Sequence, residues 1–78
     1  MIRVFERVND KYNKFWTIEI VENKDETKLY NFRIKTTYGK IGTNGQASYK
    51  EYWDKEDAYK SATKLIKSKT KKGYIEKR

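Results

Sequence analysis

The chain has no cysteine, no histidine and no proline, and only four glycines and one methionine among its 78 residues. Without cysteine there is no disulfide and no thiolate metal site. Without histidine there is no Ser-His-Asp or Cys-His triad and no imidazole base. No apolar run approaches the length of a membrane span. The segment Met1 to Asp10 carries charges throughout and lacks the apolar core of a secretory signal. These absences predict a cytoplasmic protein with no membrane partner. The carboxylates offer no better route to chemistry. The adjacent acids Asp25-Glu26 read as a solvated loop, and Glu56-Asp57 as charge that offsets a helix dipole. A catalytic pair needs a pocket, and a chain this short has little room for one. The expectation is a domain with no catalytic residues, no metal and no cofactor. Nor is Gly39-x-x-Gly42-x-x-Gly45 a phosphate loop, because it lacks the Gly-Lys-Ser/Thr ending and precedes a strand rather than a helix.

What the chain does have is aromatics and positive charge. Seven Tyr, three Phe and two Trp make up 15% of it, and each ring buries a large area. They explain how a sequence that is 36% hydrophobic and 38% charged still builds a core. A domain of this size buries only about 60% of its unfolded surface, so its stability is small. Nineteen Lys and Arg against eleven Asp and Glu leave a net charge of +8, which favours anionic partners.

Alternation of apolar and polar residues places strands at Ile2–Val8, Phe15–Glu22, Leu29–Tyr38 and Ala47–Trp53. In the first, Ile2, Val4 and Val8 share a face; in the third, Tyr30, Phe32 and Ile34 oppose Arg33, Lys35 and Thr37. Trp16, Phe32 and Trp53 are expected in the core. Asn9-Asp10 signals a turn, Asn23–Lys28 a polar loop, and Asn44-Gly45 a hairpin. Asp54 is placed as the N-cap of a helix reaching about Lys72, with Asp57 approximating a capping box. Its apolar stripe is Ala58, Tyr59, Ala62, Leu65 and Ile66. Gly73 suits the left-handed position that ends a helix, and Tyr74–Glu76 reads as a short edge strand. The whole chain, residues 1–78, is then one α+β domain: a twisted antiparallel sheet of four to five strands with one C-terminal helix packed on one face. Strand order and barrel-like closure stay open at this level. A monomer is expected.

Between Lys28 and Lys50 the chain carries Lys28, Arg33, Lys35, Lys40 and Lys50 and no acid. The helix adds Lys60, Lys64, Lys67 and Lys71 on one face, which reads as a solvated surface. A further cluster, Lys67, Lys69, Lys71 and Lys72, suits the negative end of the helix dipole. Tyr38 ends a strand beside a glycine-rich turn, where an aromatic ring is placed to stack on a base or sugar with a cation alongside for phosphate.

The run Tyr38-Gly39-Lys40-Ile41-Gly42-Thr43-Asn44-Gly45-Gln46 resembles the signature of the WGR domain, a family named for a Trp-Gly-Arg triplet followed by an apolar residue, Gly, a short turn and Gly-Gln. Asn13-Lys14-Phe15-Trp16 is similar to the opening of that family's second strand. Lys55-Glu56-Asp57-Ala58 and Lys69-Thr70-Lys71-Lys72-Gly73-Tyr74 are similar to its helix and closing Gly-Tyr. The resemblance implies the same sheet-and-helix fold. It also implies the role the family has in poly(ADP-ribose) polymerases, where the domain binds near a DNA break and relays that binding. By resemblance, Tyr38 takes the stacking position, Lys40 the cationic one, and Asn13 and Lys14 lie near the DNA end. Tyr in place of Trp, as in stand-alone bacterial members, shrinks the stacking surface, and Lys in place of Arg cannot make a planar two-point fork to phosphate. The expected function is a non-enzymatic module that binds nucleic acid, DNA before RNA, through Asn13, Lys14, Arg33, Lys35, Tyr38, Gly39, Lys40 and Lys69. An acidic protein meeting the same turn is the alternative partner.

Overall fold

A computed structural model describes residues 1–24 and 30–77. It contains β1 (Ile2–Val8), β2 (Asn13–Glu22), β3 (Phe32–Lys40), β4 (Gln46–Tyr52), α1 (Lys55–Lys71) and β5 (Ile75–Lys77). The strands form one sheet in the order β4-β3-β2-β1-β5, with every neighbouring pair antiparallel. The α+β architecture expected from the sequence is therefore the observed one, and the sheet is open rather than closed. Most of the predicted loop, together with Leu29, lies outside the described residues.

Hairpin chemistry explains the connections. Asn9 Oδ1 accepts from the N–H groups of Lys11 and Tyr12 at 2.8 and 2.9 Å, a side-chain turn that reverses β1 into β2. Between β3 and β4, the Thr43 N–H donates to Lys40 O at 3.1 Å, and Gly42 takes φ 95° at the third turn position. That sign is what a type II turn needs there.

Register decides the core. Phe5 pairs with Trp16, Trp16 with Tyr38, Ile18 with Thr36 and Ile20 with Ile34, so all of these share the face covered by α1. Phe5, Trp16, Ile18, Ile20 and Ile34 are buried there with Ala58 and Ala62 of the helix. The rings of Phe5 and Trp16 lie 5.4 Å apart and tilted, a favourable aromatic geometry. Small alanines let the helix backbone approach the sheet, while Tyr59 and Leu65 of the expected stripe sit at its exposed margins.

Ile2, Val4 and Val8 share a face, as expected; it is the one without the helix, and all three are exposed. Three details differ from the sequence reading. First, the hairpin turn expected at Asn44-Gly45 lies at Ile41-Gly42, closed by the Thr43 N–H on Lys40 O. Second, Trp53 is 63% exposed, because β4 ends at Tyr52 and it is Tyr52 that packs on the core. Substituting Trp53→Ser is accordingly expected to change unfolding free energy by no more than about 0.5 kcal/mol in a urea titration, the behaviour of a surface position. Third, Asp54 holds the N-cap position in extended conformation but makes no side-chain capping bond. The acids Glu56 and Asp57 act on the helix only through its dipole.

The helix C-terminus follows expectation closely. Gly73 adopts φ 101°, its N–H donates to Thr70 O at 3.1 Å, and the Tyr74 N–H donates to Lys69 O at 3.1 Å. This pair of bonds is a Schellman motif. It turns the chain sharply, so that Tyr74 and then β5 return to the sheet beside β1.

Candidate nucleic-acid interface

Beyond the Phe5–Trp16 layer, the helix-covered face of the sheet runs on for one more row of side chains. Arg7 pairs with Lys14, and Lys14 with Lys40, so three cations stand side by side across β1, β2 and β3. Like charges directly opposite each other destabilise a sheet. Among the described residues, the ion pairs are Arg3–Glu76 at 2.6 Å and Lys77–Glu6 at 3.5 Å, both at the β1–β5 edge and neither involving this row. One ring, that of Tyr12, steadies two of the three in place of carboxylates. The Arg7 guanidinium lies 3.7 Å above the Tyr12 ring centre, with Lys14 Nζ 5.4 Å from the same ring.

The helix contributes a fourth cation. Lys69 follows Ala58, Ala62 and Leu65 on the sheet-facing side of α1, and its Nζ lies 5.7 Å from the Trp16 ring and 5.5 Å from Tyr74. Burial between these rings lowers its pKa, and the positive charges of Lys72 and Lys14 lower it further. A bound anion reverses that penalty, since it supplies the opposite charge that Lys69 lacks.

Tyr38 stands beside this group, 43% exposed. Its position is fixed from behind. Gly45 has φ 70°, and a Cβ there would sit 2.5 Å from Tyr38 O and 2.7 Å from Phe15 Cζ. A Cβ on Gly39 would sit 2.8 Å from Gly45 Cα. The two glycines thus let the β4 end of the hairpin lie directly against the backbone of β3, with Phe15 closing the space. The Ile41 N–H adds a bond to Asn13 O at 3.0 Å, tying the turn to the start of β2.

These elements together border a groove of about 500 Å³. Of the residues anticipated from sequence, Asn13, Lys14, Tyr38, Gly39, Lys40 and Lys69 line it, joined by Lys11 and Tyr74. Sequence reasoning passed over those two and Arg7. Tyr74 was legible as the residue after the helix-ending Gly73, but its inward course needed the Schellman turn. Arg7 needed the β1–β2 register.

Arg33 and Lys35 are not part of this groove. They alternate with Ile34 and so lie on the opposite face of the sheet, at 4.7 and 5.9 Å from the Tyr49 ring. There Arg33 is paired in register with Glu51, and Lys35 with Glu19. The run from Lys28 to Lys50 is acid-free along the chain, but the surface around Arg33 and Lys35 is not, because neighbouring strands bring acids to it. Lys40 does not continue their line, since it points to the helix side. Lys60, Lys64, Lys67 and Lys71 are exposed on the helix.

The model of the WGR domain matches residues 1–78. The chain belongs to the WGR domain family. It is 37% identical over 68 residues to the uncharacterized protein YfeS of Escherichia coli K12, a match covering 87% of this chain and 24% of YfeS. It is 35% identical over 75 residues to protein YehF of the same organism, covering 96% of this chain and 24% of YehF. A crystal structure of a Bacteroides fragilis protein matches all of this chain and 20% of its own, with 40% identity and a TM-score of 0.81. This WGR domain thus spans about a quarter of the curated relatives it matches. Its described residues contain no helix long and apolar enough to cross a membrane, and no group of three or more metal-ligating side chains.

Proposed function

We propose that this WGR domain binds nucleic acid, DNA in preference to RNA, along the groove between the β2–β3 end and the helix C-terminus, and that it acts by binding rather than by catalysis. The observation that carries the reading is convergence: Lys14 and Lys40 from adjacent strands and Lys69 from the helix line one groove with the exposed Tyr38, with no ion pair to a carboxylate among the described residues. Positive groups held close without neutralisation favour an anion, and an aromatic ring beside them favours one that carries a flat base or a sugar. The family's role at DNA breaks in poly(ADP-ribose) polymerases supports the same reading. Lys40 in the Arg position of the family triplet gives a point-charge phosphate contact rather than a forked one.

The test is fluorescence anisotropy with nicked, blunt and single-stranded oligonucleotides across a salt series. If Lys11, Lys14, Lys40 and Lys69 each neutralise one phosphate, the log–log slope on duplex DNA is roughly −3.6, at about −0.9 per phosphate. Absence of binding to any oligonucleotide at low salt ends the proposal.

A further inference from the structure

The groove does not stop at Tyr38. Tyr38 and Lys69 also border a second cleft, of about 380 Å³, that runs between α1 and the β3–β4 side of the sheet. Its origin lies in β4. Of the residues of that strand facing the helix side, Tyr52 packs on the core, but Gln46, Ser48 and Lys50 are short or polar and exposed, so over that stretch the strand offers the helix no apolar surface. The helix packs over Phe5, Trp16, Ile18, Ile20 and Ile34 and leaves a trough beside β4. Trp16 and Ile34 form the trough's apolar floor. Thr36 and Ser48 are register partners and set two hydroxyls along one wall. Across from them is Ser61, whose Oγ is 2.7 Å from Tyr52 OH.

We propose that this trough receives an unpaired nucleobase, so that the domain selects nucleic-acid ends carrying a single-stranded extension. The inference rests on the nucleic-acid reading of the adjoining groove. The volume falls in the range of about 300–1,000 Å³ usual for small-ligand sites, and a mostly apolar lining with a few placed polar groups is their usual chemistry. Each feature has a counterpart in a nucleotide. Tyr38, at the junction of the two cavities, offers a ring face for stacking. The hydroxyls of Thr36 and Ser48 both donate and accept, matching the hydrogen-bonding edges of a base. Lys69, at the same junction, is placed for the phosphate that links that base to the strand in the groove. A base within a duplex has both faces stacked and its edge paired, so it cannot enter a trough walled by helix and sheet. A base in an overhang is free to do so.

The experiment compares anisotropy titrations of one hairpin duplex with a blunt end and with three-nucleotide extensions, 5′ or 3′, in thymidine or uridine form. At least fivefold tighter binding of an extended form supports the trough. Ser48→Tyr, which fills it from an exposed edge-strand position, brings the ratio to within twofold. Amide and side-chain shifts of Thr36, Ser48 and Ser61 in the unaltered protein, moved by the extended hairpin and not by the blunt one, give the same answer without any substitution. Equal affinity for blunt and extended hairpins, both lost in Lys14→Ala with Lys40→Ala, overturns the trough and leaves the groove standing. No binding of any hairpin overturns both.

Discussion

Replacing Lys14 and Lys40 together by alanine should reduce affinity for duplex DNA about 100-fold while leaving the fold as stable as before, or slightly more so. The two residues are direct register partners. Like charges so placed cost a sheet up to about 1 kcal/mol, and removing both relieves that repulsion. Binding moves the other way. A hydrogen bond to a charged group contributes about 1.5–3 kcal/mol, and exposed lysines belong at the lower end, so two lost contacts amount to roughly 3 kcal/mol, or about two decades of Kd. The salt slope should become shallower by about 1.8. Anisotropy titration measures the first, urea denaturation the second. The combination is diagnostic, because a loss of binding through unfolding would lower stability as well. The matching control is Arg33→Ala with Lys35→Ala, on the opposite face beside Glu51 and Glu19. It should alter affinity less than threefold. If the control loses as much as the groove variant, the nucleic acid contacts the other face of the sheet or both.

Gly45→Ala should lower the melting temperature by at least about 8 °C, and Gly42→Ala by clearly less. Both glycines have positive φ, at 70° and 95°, so each substitution carries the left-handed backbone cost of about 1–2 kcal/mol. At Gly42 nothing lies within 4 Å of the new Cβ, and that cost is the whole effect. At Gly45 the new atom meets Tyr38 O at 2.5 Å and Phe15 Cζ at 2.7 Å. A backbone carbonyl has no rotamer to escape into, so overpacking adds about 1–3 kcal/mol. A total of about 2–5 kcal/mol is a large part of the roughly 4–12 kcal/mol available to a chain of this length. Each kilocalorie lowers Tm by about 4–8 °C in so small a domain. Thermal denaturation followed by circular dichroism separates the two variants. Equal losses would mean that the close approach behind Tyr38 contributes nothing.

Much of this architecture was legible in the residues because local patterns and local bonds coincide. The alternation in β1 and β2, the Asn9 turn and the Gly73 stop each concern residues a few positions apart, and each appears where the pattern puts it. The motif around Tyr38 was legible through its resemblance to the WGR signature, which runs over the short segment from Tyr38 to Gln46. Alternation shows that Ile2, Val4 and Val8 stand together, and that Arg33 and Lys35 stand together opposite Ile34, but it does not show which residues of neighbouring strands, such as Glu51 and Glu19, are brought beside them. Trp53 was assigned to the core on its size alone, whereas the end of β4 at Tyr52 gave that place to its neighbour.

By itself, then, the sequence determined the element types, the α+β class and the positive charge, since these follow from composition and short-range periodicity, while the Tyr-Gly-Lys turn was known by its resemblance to the family signature. The tertiary structure alone decided that Lys14, Lys40 and Lys69 converge on Tyr38 while Arg33 and Lys35 do not. Strand register and the packing of the helix on the sheet set those meetings, and both act between residues far apart in the chain. Charge along a sequence is one-dimensional, whereas an anion responds to the charges that a folded surface brings within a few ångströms of it.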